Sequence, residues 1–333
     1  MKRHGNLFNQ IIELDNLWEA YRKARKGKSS KSAVKRFESS PEKRIIKIRD
    51  SLIDNTFTTS EYQTKWVYEP KPRLIYVLPF NPDRVVQHAI MNIVEPIWDK
   101  LFIDDSYACR VGKGIHKGSK RCMEFTRKYK YCLKCDISKF YPSINHDILF
   151  NIIQHKIKCK QTLNLLSGII YSIEGENNIP IGNYTSQWFG NLYLNELDIY
   201  LKHTHHIKPY LRYCDDFVIF DDSKFFLNEL TTIIKDFVGN NLKLTLSKCD
   251  LFPVSRGVDF LGYRHFKDYL TLRKSTAKRI KSRLTLLPKL LKQGKITVES
   301  YKSSIMSTLG WLKHCSTYNF RNNLCINENL NVY

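Results

Sequence analysis

The feature that most restricts this chain is residues 211–220, LRYCDDFVIF, where two adjacent carboxylates interrupt an apolar run. Each apolar half is too short for a buried helix, which predicts two strands joined by a tight turn. Adjacent carboxylates repel and are costly to desolvate, so the turn must lie near water or a cation. A second apolar strand, residues 131–137, carries Asp136 near its end, and Pro142 stops its extension. Carboxylates from separate strands are what two-metal phosphoryl transfer needs. They hold two divalent ions about 3.5–4 Å apart, one activating the attacking hydroxyl and one steadying the leaving oxygen. A solvated hairpin turn is the alternative for Asp215-Asp216, and Asp104-Asp105 and Asp221-Asp222 are read that way.

Charge narrows the partners. Lys plus Arg number 54 against 32 Asp plus Glu, a net +22, which points to a polyanion, with nucleic acid the default. An anionic membrane surface is the rival, but no basic segment carries a lipid-facing apolar stripe. Arg22 to Arg36 holds eight basic residues and no acidic one, and residues 267–333 hold 13 basic and three acidic. Apolar residues make up 42% of the chain, enough for a sizeable core. No apolar run approaches the roughly 18 residues of a membrane span, and the N-terminus lacks a signal-peptide core, which predicts a cytoplasmic protein. The nine cysteines are then expected reduced. Cys132 and Cys135 form a lone C-x-x-C whose members point to opposite faces of a strand, against a zinc site. His203, His205 and His206 read as solvated loop residues.

Periodicity places the remaining segments. Residues 6–27 read as a helix, residues 65–80 as two strands around a turn at 69–72, and a long helix follows from Pro82. Residues 112–120, GKGIHKGSK, do not fit a P-loop and read as a basic loop near a phosphate backbone. Thr185 or Ser186 can cap a helix carrying Trp188, Phe189, Leu192, Leu197 and Leu201 inward. Residues 258–263, VDFLGY, read as a short strand, and the rest as helical, with Tyr301, Ile305, Leu309 and Leu312 at helical spacing.

Taken in order, these segments resemble the polymerase core of reverse transcriptases. A basic segment with Lys71 and Arg73 comes first, then Asp136 in KCDISKFYPSI, a glycine-led helix after IPIGNYTSQ, Tyr213-Cys-Asp-Asp216, a lysine-bearing KLTLSKCD, FLGY at 260–263, and a helical end. The resemblance implies an α+β right-hand polymerase: fingers, an antiparallel-sheet palm and a helical thumb. Fingers and palm would span residues 1–266 and the basic thumb residues 267–333. From the length of the sequence, no appended protease, RNase H, maturase or endonuclease segment is expected.

A narrower likeness comes from Ile181-Gly182-Asn-Tyr-Thr-Ser186-Gln187, where most reverse transcriptases have Gln-Gly and end in Ser-Pro. This form resembles the reverse transcriptases of diversity-generating retroelements, as do YEPKPRLI, DRVVQHA, SYACR, KGIH, PVSRGVDFLGYR and LRKS. That likeness implies error-prone copying of a template-repeat RNA at adenines, transfer of the cDNA into a variable gene, and a small basic oligomeric accessory protein as partner.

By motif position, Asp136, Asp215 and Asp216 are the implied ligands of two Mg²⁺ ions, with the Ile137 carbonyl completing one shell. Lys71 and Arg73 would grip the triphosphate of the incoming dNTP. Ile181 and Gly182 would border that nucleotide, and Tyr141 would exclude a 2′-hydroxyl. Lys248 would be the acid for pyrophosphate, and Phe260, Leu261, Gly262 and Tyr263 would brace the primer. Tyr141 as a core aromatic, Lys248 as a solvated strand-end lysine and Arg73 as a template contact are the alternatives. The rival functions are a retron or antiphage-defence reverse transcriptase, and a non-catalytic RNA-binding scaffold.

Overall fold

The computed structural model describes residues 3–68 and 71–323. Glu69 and Pro70 of the expected turn, and the last ten residues of the basic C-terminal segment, lie outside these described residues. In chain order come α1 (Leu7–Ile12), α2 (Leu14–Arg25), α3 (Ser32–Glu38), α4 (Pro41–Ile53), β1 (Gln63–Val67), β2 (Arg73–Val77), α5 (Val85–Asp99), α6 (Ile115–Lys128), β3 (Tyr131–Ile137), α7 (Phe140–Ser143), α8 (His146–Gln154), α9 (Lys160–Ile170) and α10 (Tyr184–Ile199). There follow β4 (Tyr210–Tyr213), β5 (Asp216–Asp221), α11 (Lys224–Asn240), β6 (Leu246–Pro253), β7 (Val258–Phe260), β8 (Tyr263–His265), β9 (Leu270–Leu272), α12 (Lys274–Lys292), α13 (Val298–Lys313) and α14 (Tyr318–Asn322). Helices and antiparallel strands occur together, as an α+β chain requires. Among the described residues no helix is long and apolar enough to cross a membrane.

The chain divides into two compact units. The first comprises Met1–Asp104, Ile137–His206 and Ile233–Lys248. Its helices α2 and α5 pack together through fully buried Leu17, Ala20 and Ala24 on one side and Val85, Ala89 and Ile90 on the other. The expected single helix over 6–27 is two helices, because the backbone turns extended at Glu13. Asn16 fixes this break by donating to the carbonyls of Ile11 and Ala89 at 2.9 and 3.1 Å. Helix α10 is buried over most of its length, which accounts for its weak amphipathic pattern. Its N-cap is Asn183; Thr185 and Ser186, read as capping residues, are buried in the first turn, where Ser186 donates to the Pro180 carbonyl at 2.7 Å.

The second unit comprises Asp105–Asp136, Ile207–Thr232 and Cys249–Tyr333. Strands order as β4-β5-β3-β6, with β5 antiparallel to both β3 and β4. Cys132, Leu211, Val218 and Phe220 from this sheet share one core with Phe125 of α6 and with Val258, Phe260 and Leu261. Residues 115–120, expected as a basic loop, are instead the first turns of α6. Gly118 and Ser119 draw the helix into the core: a Cβ at Gly118 would lie 2.8 Å from Leu261 Cδ1, and Ser119 Oγ lies 2.8 Å from His265 Nε2. Farther along, α12 and α13 bury Ile280, Leu284, Tyr301, Ile305, Leu309 and Leu312 together, as the helical spacing predicts.

Candidate active site

The acidic tip forms as the alternation of β4 and β5 dictates. Tyr213 pairs with Asp216, leaving Cys214 and Asp215 as a two-residue turn. Cys214 has φ 54°, the left-handed conformation of primed hairpin turns. Fully buried Arg212 braces the turn by donating from Nη1 to the Cys214 carbonyl at 3.0 Å. On the other side of β5, Asp136 stands in register opposite Asp216. The sheet thus brings the three sequence-selected carboxylates to one end of adjoining strands.

Asp216 is the best-defined of them. Its Oδ2 accepts from Lys134 Nζ at 3.1 Å, while its buried Oδ1 has no hydrogen-bond partner. Burial pushes its carboxyl up to about 6; Lys134 opposes that shift and neighbouring Asp136 adds to it. A buried, orphaned carboxylate oxygen beside a second carboxylate suits a divalent cation, which would satisfy the oxygen and favour the ionised form. Among the described residues no group of three or more His, Cys, Asp or Glu side chains is gathered closely enough to hold a metal ion. The pair in register, Asp136 and Asp216, matches the one or two carboxylates by which Mg²⁺ is usually held together with substrate phosphates and water.

Residues 258–263, expected as one strand, form a strand and a turn. Phe260 pairs with Tyr263 across Leu261 and Gly262, at φ 56° and 83°. Both turn residues are left-handed, as a two-residue hairpin of the I′ type requires. Gly262 permits a close approach: a Cβ there would lie 3.0 Å from the Trp311 ring. Tyr263 stacks on that same indole at 5.3 Å and meets His116 Nε2 at 3.1 Å. The turn is therefore held on several sides.

In the first unit, Ile181 and Gly182 lie against β2. Tyr76 N–H donates to the Ile181 carbonyl at 2.8 Å, and Arg84 donates to the Gly182 carbonyl at 2.7 Å. A Cβ at Gly182 would lie 2.4 Å from the Tyr76 carbonyl oxygen, and its φ is 125°, so only glycine fits. Phe140 is buried while Tyr141 stays half-buried. Gly190 of α10 makes room for both rings: a Cβ there would be 3.0 Å from Phe140 and 3.3 Å from Tyr141. Ile137 is buried; Lys71, Arg73 and Lys248 are exposed. The site residues thus divide between units. The carboxylates and the 260–263 turn belong to the second; Lys71, Arg73, Ile137, Tyr141, Ile181, Gly182 and Lys248 belong to the first.

Several contributors escape sequence reasoning. Asp105, read as a solvated turn residue, is buried and ion-paired to Arg121 Nε at 3.0 Å. Its partner comes from α6, which adjacency in sequence does not reveal. Arg212 and Lys134 were each visible as a lone basic residue within an apolar strand, and Gly190 as a glycine interrupting a helix.

The family model described as reverse transcriptase (RNA-dependent DNA polymerase) matches residues 68–265. Protein YkfC of Escherichia coli is 24% identical over 257 residues, covering 59% of this chain and 67% of that protein. The group II intron-encoded protein LtrA of Lactococcus lactis is 25% identical over 205 residues, covering 58% of this chain and 34% of LtrA. Nuclear intron maturase 1, mitochondrial, of Arabidopsis thaliana is 26% identical over 88 residues, covering 26% of this chain and 12% of the maturase. The chain therefore spans about a third of the length of LtrA.

Proposed function

Because the chain belongs to the reverse transcriptase (RNA-dependent DNA polymerase) family, we propose that it copies RNA into DNA from dNTPs, with Asp136, Asp215 and Asp216 holding two Mg²⁺ ions. The observation that carries this is the register of Asp136 with Asp216, whose buried Oδ1 is orphaned. When bound, the ions supply charge neutralisation at the attacking hydroxyl and the leaving pyrophosphate. The protein's part is orientation. Lys71 and Arg73 bind the triphosphate, Tyr141 excludes a 2′-hydroxyl, Lys248 gives a proton to the leaving group, and Phe260 to Tyr263 brace the primer end. Fingers and palm would occupy 1–266 and the thumb 267–333, whose excess positive charge suits a template–cDNA duplex.

The finer role we propose is mutagenic copying of a template-repeat RNA within a diversity-generating retroelement in the cytoplasm, alongside a small basic accessory protein. Ile181 before Gly182 supports it, because an apolar side chain replaces the glutamine usual at that motif position. The intron-encoded names among the relatives favour a second reading, in which the template is intron RNA. Primer extension on an RNA template with Mg²⁺ tests the activity and separates an enzyme from a silent RNA-binding scaffold. Flanking DNA separates the biologies: paired near-repeats differing at template adenines mark a retroelement, intron ends mark the second reading, and a retron or defence operon would carry neither.

A further inference from the structure

Lys134 belongs to none of the roles above, yet it sits among them. It lies two residues before Asp136 and so on the same face of β3. Its side chain is only 16% exposed. Its Nζ donates to Asp216 Oδ2 at 3.1 Å and to the Asp259 carbonyl at 2.6 Å, and lies 5.9 Å from the centre of the Phe260 ring. Asp259 leads directly into the 260–263 turn. Its carboxylate pairs with Arg273, whose own backbone N–H donates to the Gly262 carbonyl at 3.0 Å. All of these residues belong to the second unit.

A lysine buried in an apolar sheet is poor value for stability alone, since an apolar residue there avoids the desolvation cost. Its two acceptors are the third carboxylate of the triad and the backbone entering the primer-bracing turn. We propose that Lys134 is a positioning residue that ties Asp216 to the 260–263 turn through one ammonium, leaving Asp216 Oδ1 as the oxygen offered to a cation. Its positive charge also tempers the acidic tip, so that a divalent ion is held without being trapped. This rests on the polymerase reading for its meaning, while the metal-affinity measurement below does not depend on catalysis.

The experiment compares wild type with Lys134→Met, Lys134→Gln and Lys134→Arg in the full chain. Thermal melting verifies folding, Mn²⁺ affinity is read by electron paramagnetic resonance, and kcat and KM come from primer extension. Removing the charge should tighten Mn²⁺ binding by about threefold or more. It should lower kcat about tenfold, with KM for dNTP little changed, because geometry and not nucleotide binding is disturbed. Lys134→Arg should recover both properties in part. Lys134→Gln, which keeps a hydrogen-bond donor, serves if Lys134→Met unfolds. Unchanged Mn²⁺ affinity in a folded neutral variant overturns the proposal, as does a loss of kcat that arginine does not relieve. A wild-type chain that binds Mn²⁺ but extends no primer defeats the polymerase reading, and the Mn²⁺ comparison still decides the role of Lys134.

Discussion

Two antiparallel ladders carry residues that the sequence singles out, and they are built on opposite terms. In β3–β5, seven apolar or cysteine side chains of β3 and β5 are fully buried around the register that sets Asp136 against Asp216. In β1–β2, all five positions of β1 are exposed, and Lys71 and Arg73 are exposed as well. Phe217 to Phe220 are buried on both faces of the sheet, so a slip of one residue in the first ladder would force two packed layers to repack and would move the carboxylates; the core itself fixes their register. The second ladder has no such lock. Trp66 and Tyr68 lie exposed with their rings stacked 6.4 Å apart, available to a nucleic acid rather than spent on a core. Function in the first place should fail abruptly, and in the second by degrees.

The sharpest break is at the carboxylates. Asp136→Asn or Asp215→Asn should lower primer extension about a thousandfold or more, since a neutral amide is a poor ligand for a hard divalent ion. RNA binding, followed by filter retention, should persist. Next comes the contrast in stability. Phe220→Ala removes a fully buried ring from the β5 core and should cost about 3–5 kcal/mol in urea denaturation. Trp66→Ala removes a larger ring from β1, yet should stay within about 0.5 kcal/mol. Equal losses would erase the distinction between the ladders.

Acid should single out the second unit. His265 is fully buried, with Nδ1 3.0 Å from the Val258 carbonyl and Nε2 2.8 Å from Ser119 Oγ. A carbonyl can only accept, so Nδ1 carries the proton and the ring is a neutral tautomer. Burial lowers its pKa from 6.5 to about 4. The unfolded chain therefore binds the proton first, and stability falls as pH drops from about 6.5 toward 4. Asp216, raised by burial, has the opposite sign. His265→Gln compared with wild type isolates the histidine: the variant should lose less stability between pH 7 and pH 4.5. On the exposed hairpin, Lys71→Ala with Arg73→Ala should raise KM for dNTP about tenfold while melting stays put, because charge-assisted hydrogen bonds are lost and no core is touched.

What the sequence reveals follows the same division. Strands β3, β4 and β5 and the turn at Asp215 are legible because short apolar runs and a desolvation cost leave few alternatives. The turn inside 258–263 is not legible because both Leu261 and Gly262 take positive φ, and a leucine gives no warning of that. Within 112–120 the helix that begins at Ile115 is hidden, because glycines and lysines mask a helix whose small residues face the core. Lys134, Arg212, Asp105 and Gly190 stand out in the sequence only as isolated residues, and their roles stay hidden for a common reason. Each matters through a partner distant in sequence or brought close by a turn, and no local pattern encodes such a meeting.

The smallest expected effect concerns fidelity, and it sits on the exposed side of the comparison. The backbone around Ile181 is pinned: its carbonyl accepts from Tyr76 N–H at 2.8 Å, and Gly182 is pressed against the Tyr76 carbonyl. A substitution at position 181 therefore acts through its side chain, which is half-buried, and not by moving the strand. An isoleucine there offers contact area and no hydrogen bond. One polar contact is worth about 0.5–1.5 kcal/mol, or about 2–12-fold in a rate ratio. Ile181→Gln should lower misincorporation opposite template adenine by that factor, and more than opposite other bases. Sequencing cDNA made by both proteins on one RNA template measures it. A uniform fall at all four bases would make Ile181 a general fidelity contact. No change, with extension retained, would move adenine selection to Arg73, an exposed residue of β2 whose guanidinium is able to donate to a template base.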